Sequence, residues 1–340
     1  MKKTLVAMAA FAAVSSFAQS SVTLYGVADV WFGQAKGSFV GTSGLAGTAS
    51  QMVLNTGGLS GSRFGLRGSE DLGGGLKANF VMENGHNTDT GAAAQGGLLF
   101  GRQTYVGMSG GFGEFRLGRQ YSAYDAARGA LDTVGHTSFS ATVAGGAWER
   151  VGNHYTFRVD NQMLYNTPNM SGFSASVGYG LRENKTATVG AGRVLSMHVL
   201  YANGPITAAA AYQTEKATGA GPTLTNFLVG GAYDLGVAKV NLEINNAKNS
   251  NIDKDSEMAF GVTVPFGATA VSLAYGTAKN KAAAGGATIE KGNTIGLQVT
   301  HALSKRTTIY GGLVNGSVKS GAGAAIEKNA ITAIGMRHTF

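Results

Sequence analysis

Arginine carries most of the chemistry this sequence offers. Arg63 and Arg67 lie four residues apart, with Phe64 and Leu66 between them. In an extended chain, side chains alternate between two faces, so the two arginines share one face and the two apolar residues share the other. A guanidinium stays charged at any physiological pH and presents a rigid planar fork, which suits selection of ions by charge. Groups that make and break bonds form no comparable set. His86, His136, His154, His198, His301 and His338 stand singly, without the clustered spacing of metal ligands. There is no Cys, hence no thiol nucleophile. No Gly-x-Ser-x-Gly elbow occurs, and no Gly-rich turn is followed by the Lys-Ser/Thr of a phosphate loop. Neither an enzyme nor a cofactor is expected.

The elements that position the arginines begin after an export signal. Lys2 and Lys3 precede an apolar run from Leu5 to Val14, too short to span a membrane, and Ser16-Phe17-Ala18 fits a cleavage site. Residues 1–18 read as a signal peptide and residues 19–340 as a single domain starting at Gln19. Cleavage removes two charges from the formal net of +8. The chain has 53 Gly and 4 Pro, and only 14% of its residues are charged. Soluble domains carry about 25%. No later segment has the length and apolarity of a membrane helix, which leaves the closed barrel as the membrane architecture. Lys and Arg form no basic run, and export also argues against a nucleic-acid partner.

Alternation supports the barrel. Leu76, Ala78, Phe80 and Met82 interleave with Lys77, Asn79 and Glu83, and the pattern recurs at 173–179 and 239–245. Tight turns at 70–75, 169–172, 203–205, 234–236, 265–267 and 303–305 separate longer polar stretches at 34–59, 182–193, 213–224, 246–256, 279–291 and 316–328. Short turns at one end and long loops at the other characterise outer-membrane barrels. Sixteen strands are predicted, beginning near Val22, Gly61, Leu76, Leu99, Gly113, Asn153, Gly172, Val194, Pro205, Thr225, Val237, Ser256, Ala268, Gly292, Arg306 and Asn329. The fold class is all-β, a 16-stranded antiparallel transmembrane barrel wide enough for a water-filled channel. Arg63 and Arg67 must then face the lumen, because a charge at lipid mid-depth costs about 2–4 kcal/mol. Tyr25, Trp31, Tyr105, Tyr165, Tyr179, Tyr201, Tyr212, Tyr233, Tyr275, Tyr310 and Phe340 are read as interfacial girdles or as strand packing.

Several segments resemble the trimeric general porins of β-proteobacteria. They are Gln19-Ser20-Ser21-Val22-Thr23-Leu24-Tyr25-Gly26, the stretch from Ser62 to Lys77, Phe100-Gly101-Arg102-Gln103-Thr104-Tyr105-Val106-Gly107, Gly113-Glu114-Phe115-Arg116-Leu117-Gly118-Arg119, and Arg337-His338-Thr339-Phe340. The resemblance implies a homotrimer and a third extracellular loop, about 120–147, folded into the lumen. It places Arg63, Arg102 and Arg158 in an arginine cluster facing that loop, with Arg150 as the competing candidate for the last position. Arg67, Arg116 and Arg119 extend the basic wall. The loop lacks the Pro-Glu-Phe-Gly-Gly-type sequence of many relatives and offers only Asp125 and Asp132 as carboxylates, beside Arg128 and His136.

The expected function is passive diffusion of small hydrophilic solutes and ions across the outer membrane, with weak anion preference. A channel selective for organic or inorganic anions is the alternative. Expected partners are two further copies of the chain, outer-membrane lipid, lipopolysaccharide and the permeating solutes. A barrel hydrolase would need a nucleophile–base pair, an adhesin would need aromatic-rich loops, and neither is present in the sequence. A soluble periplasmic β-protein would lack the heat-modifiable migration of a membrane barrel.

Overall fold

In the computed structural model, residues 21–37, 50–142, 155–249, 254–282 and 285–340 are described. The signal-peptide reading of residues 1–18 falls outside them. Alternation produces strands throughout: Ser21–Lys36 (β1), Ser50–Thr56 (β2), Arg63–Gly73 (β3), Leu76–Gly85 (β4), Gln103–Gly110 (β5), Gly113–Tyr121 (β6), Arg158–Asn166 (β7), Phe173–Leu181 (β8) and Ala191–Asn203 (β9). They continue as Ile206–Thr218 (β10), Leu224–Asp234 (β11), Lys239–Asn249 (β12), Lys254–Phe266 (β13), Thr269–Lys281 (β14), Thr288–Ala302 (β15), Thr307–Ser320 (β16) and Ala325–Thr339 (β17). Apart from β2 and β3, each strand pairs antiparallel with the next, and β17 returns to β1, from Val27↔Thr339 to Lys36↔Ala330, closing the sheet.

The seventeen segments make sixteen staves. Both β2 and β3 pair with β1, at Val30–Lys36 and Ser21–Val27 respectively, so they are two halves of one stave. The stave begins at Ser50 rather than near Gly61, and the first long loop is shorter than 34–59. The break between the halves is organised by Asp29. Its buried carboxylate accepts the backbone N–H groups of Gly58 (3.0 Å), Leu59 (2.9 Å) and Ser60 (2.8 Å), donors that no ladder bond satisfies. Other loops are also shorter than alternation predicts, since β14 runs to Lys281 and β15 starts at Thr288. At these ends the outward residues turn polar while the ladder continues, so an apolar criterion stops too early.

The barrel is apolar outside. On β1, Val22, Leu24 and Phe32 are exposed, whereas Val27, Asp29, Trp31 and Ala35 are buried on the inner face. Among the predicted girdle aromatics, Tyr179, Tyr233 and Tyr275 do lie exposed on the outside. Trp31 and Tyr310 instead point inward and pack with Phe139, Val314 and Ile331. The chain end is fixed by backbone: Phe340 N–H donates to Gly26 O and Gly26 N–H to Phe340 O. The Phe340 ring covers Gly26 so closely that a Cβ there would lie 2.2 Å from it. The tight turn between β3 and β4 needs glycine too, because Gly73, Gly74 and Gly75 all have positive φ.

Inside, the segment after β6 opens with helix α1 (Ala123–Leu131). Ser122 caps it by accepting the Asp125 N–H. Tyr124, Ala127 and Leu131 form one helical stripe and pack on Ala209, Ala211, Leu228 and Ala259, which point inward from β10, β11 and β13. Among the described residues no helix is long and apolar enough to cross a membrane.

Candidate constriction site

The segment that opens with α1 crosses the inside of the barrel. Tyr124 donates to Asn245 (2.6 Å) and Thr133 to Asn241 (2.6 Å), while Thr263 donates to the Thr133 carbonyl (2.9 Å). Beyond them, Ser138 N–H reaches Gly58 O at 2.8 Å, at the break that Asp29 organises. Residues 122–142 are thereby tied to β9–β13 at one side and to the β2–β3 break at the other.

Between this segment and the wall of β3–β7 lies a space of about 380 Å³. Arg63, Arg102 and Arg158 line its wall side, and Asp125, Arg128 and His136 its loop side. The arginines are held by shared partners. Buried Glu83 receives Arg102 Nε at 2.8 Å, lies 3.8 Å from Arg63 Nε, and accepts the Tyr25 hydroxyl at 3.0 Å. The Tyr121 hydroxyl accepts from Arg102 Nη2 (3.0 Å) and from Arg158 Nη2 (2.6 Å). The Arg158 guanidinium also sits over the rings of Tyr121 (4.6 Å) and Phe157 (4.8 Å). One carboxylate thus serves two of three guanidinium groups, and the wall keeps a positive excess. Fixed, partly desolvated charge of one sign beside water raises the local concentration of counter-ions.

The other predicted residues divide. Arg67 lies over the Tyr25 ring, four residues toward the short-turn end and outside this space. Arg116 is paired with Glu114 at 2.6 Å and covers the Tyr105 ring. Arg119 is held by the Gly101 carbonyl and by Asp160. Asp125 does line the space, where it accepts the Tyr155 hydroxyl at 2.5 Å; the same hydroxyl takes a bond from Arg128.

Asp132, read from the sequence as a carboxylate of the facing loop, is turned into the loop itself. Only 4% of its side chain is exposed. It accepts the N–H groups of Val134 (2.8 Å), Gly135 (3.1 Å) and His136 (3.0 Å). Burial pushes its carboxyl up, but His136 and these three donors outweigh that and hold it below the usual range. Burial, reinforced by Arg128, holds the His136 imidazole below its usual value against the pull of Asp132 and Asp125. Arg150 lies outside the described residues.

Tyr121, Phe157 and Tyr155 carry no sequence signal as site residues. An extra residue in β7, Asn161 with φ +50°, shifts the register so that Tyr121 opposes Arg158. Strict alternation does not reveal such a shift. Larger apolar depressions around Met197, Val199 and Phe227, and around Phe32, Ile334 and Met336, lie on the outer face, away from these charges.

Comparison with known proteins agrees with the architecture. The sequence matches the Gram-negative porin family over residues 4–320. It is 34% identical to outer membrane porin protein 32 of Delftia acidovorans and 31% identical to an outer membrane porin protein of Bordetella pertussis, each over the full length of both chains. Among solved structures, an anion-selective porin from Comamonas acidovorans superimposes with a TM-score of 0.78 at 30% identity, covering 95% of this chain and all of that one. A trimer form of OmpT from Vibrio cholerae shares the fold, with a TM-score of 0.71 at 19% identity, covering 94% of this chain and 99% of that one. A closed sixteen-stave barrel, apolar outside and polar within, provides a route for small hydrophilic solutes and ions to diffuse through the outer membrane. With that architecture and full-length similarity to porins, the chain belongs to the Gram-negative porin family.

Proposed function

We propose that this porin favours small anions, and that Arg63, Arg102 and Arg158, opposed by the loop at about 120–147, set the preference. The observation that carries this reading is the sharing of Glu83 between Arg63 and Arg102, which leaves the wall under-neutralised. The anion-selective Comamonas porin supports it as a neighbour in both sequence and structure. With a Debye length of about 8 Å at physiological salt, charges at these distances from a permeating ion are incompletely screened. Transport of this kind requires no catalytic residue. The test is the reversal potential under a KCl gradient, comparing wild type with R63A/R102A/R158A. Anion preference at low salt that falls or reverses in the variant is expected. A cation-selective wild type, or an unchanged variant, overturns the reading.

A second reading, a channel selective for organic or inorganic anions, draws on the exposed Phe157 ring beside Arg158 in the same space. Slower passage of aromatic carboxylates than of chloride, relieved in F157A, favours it.

The functional unit of this proposal is a homotrimer in outer-membrane lipid and lipopolysaccharide, built from chains that start at Gln19 after signal cleavage. The trimer form of a fold neighbour supports the assembly. Intact mass spectrometry of outer-membrane material tests the start, and native mass spectrometry in mild detergent tests the trimer. A retained Met1–Ala18 segment or a purely monomeric protein contradicts them.

A further inference from the structure

The long-loop ends of β14, β15 and β16 carry a feature that permeation does not use. Lys279 stands directly across from Lys291, and Lys291 directly across from Lys319. Residues opposite each other on one face of an antiparallel pair have Cβ atoms about 5 Å apart, and like charges there destabilise the sheet. All three lysines are exposed. They share the outward parity of Tyr275, Ile295 and Leu313. Among the described residues, none makes an ion pair with them. Glu290 on β15 and Glu327 on the adjoining β17 have the inward parity.

Below the lysines the outer face descends in register. The next tier is Thr277, Asn293 and Ser317; then come Tyr275, Ile295 and Asn315, and then Leu273, Leu297 and Leu313. Each tier lies about 7 Å below the last, two residues along a strand. A groove of about 360 Å³ is lined by the three lysines together with Thr277, Asn293 and Ser317. The same lateral surface therefore passes from cationic through hydroxyl and amide groups to leucine, in the direction from the long-loop end toward the bilayer centre.

We propose that this lysine ladder is a docking site for a phosphorylated glycolipid of the outer leaflet. Its phosphate lies between the three ammonium groups, its sugar meets Thr277, Asn293 and Ser317, and its acyl chains lie on the Tyr275–Ile295 and leucine tiers. The charge pattern selects this occupant. A dianionic phosphate removes the repulsion that the register builds in, and a covalently attached acyl tail matches the apolar tiers directly beneath. The site gives a location to the lipid partnership named under the proposed function, and it rests on that reading.

The test is native mass spectrometry of the full-length protein in detergent, titrated with bisphosphorylated hexa-acyl lipid A, with the same lipid lacking phosphate, or with inorganic phosphate. The proteins are wild type, K279S/K291S/K319S and the single variant K291S. Folding of each is checked by heat-modifiable migration and by KCl conductance, which should not change. Wild type should retain the phosphorylated lipid roughly tenfold better than the dephosphorylated one, and the triple variant should lose that margin, with K291S between them. Equal retention by wild type and a folded triple variant refutes the site while leaving a lipid partner in place. No retention by wild type refutes both. Equal retention of the dephosphorylated lipid refutes phosphate recognition. Displacement of the lipid by inorganic phosphate alone refutes an amphiphile site. Dissociation of the trimer in the triple variant, without loss of lipid, assigns the ladder to the subunit interface and overturns the proposal.

Discussion

The Tyr310 hydroxyl donates to Asp29 Oδ1 at 2.5 Å, joining β16 to β1 across β17. Both side chains are buried, and the same carboxylate collects the three N–H groups at the break between β2 and β3. One side chain therefore links the closing staves to the break where the inner segment is anchored at Gly58. Asp29→Ala leaves three N–H donors without a partner, at about 1–3 kcal/mol for each buried group left unsatisfied, and leaves the Tyr310 hydroxyl only the Val30 carbonyl at 3.2 Å. The expected outcome is a loss of at least about 3 kcal/mol, with Tyr310→Phe losing about 1–3 kcal/mol. Urea titration of the folded fraction in lipid vesicles, read by heat-modifiable migration, measures both. Equal stability of wild type and Asp29→Ala would show that the break is held by other contacts.

Glu83→Gln should act on permeation in the opposite direction from loss of the arginines. It removes the negative charge shared by Arg63 and Arg102 while keeping the shape and a group that can bond Tyr25. Anion preference should rise, by roughly twofold to fivefold in permeability ratio at low salt, and the gain should shrink as salt screens the site. Reversal potentials at two ionic strengths check this. A fall in anion preference would place Glu83 outside the field felt by permeating ions.

Acid should loosen the inner loop. The Asp132 carboxyl and the His136 imidazole are both held below their ordinary values in the folded protein. For each group the unfolded state binds its proton at higher pH than the folded state does. The stability that each contributes is therefore present above its unfolded value, about 6.5 for His and about 3.9 for Asp, and is lost as pH falls through the lower folded value. Hydrogen exchange at Val134, Gly135 and His136 should show constant protection above pH 7. Protection should decline below about pH 6.5 through His136 and again below about pH 4 through Asp132, after correction for the intrinsic exchange rate. His136→Gln should abolish the first step only. Protection that increases toward acid would contradict the assigned direction.

Much of this protein is legible in one dimension because a lipid-facing strand has few alternatives. Apolar residues must alternate with polar ones, every backbone group must find a neighbouring strand, and the sheet must close. Leu76 to Glu83, the glycine turn at 73–75 and the Phe340 terminus each follow from that demand, and together they define sixteen staves. The lumenal position of Arg63 follows as well, since Phe64 and Leu66 take the lipid face. Three-dimensional packing decided what alternation does not encode. Asp29 holds a break in the second stave with a side chain from the first, so no local pattern marks that stave's beginning. The extra residue at Asn161 places Tyr121 opposite Arg158. Asp132 satisfies three amides of its own loop and turns away from the arginines. Strand position is set by a period-two pattern against the membrane, whereas the field inside the lumen is set by which charges find partners, and those partners lie as far apart in sequence as Tyr310 and Asp29.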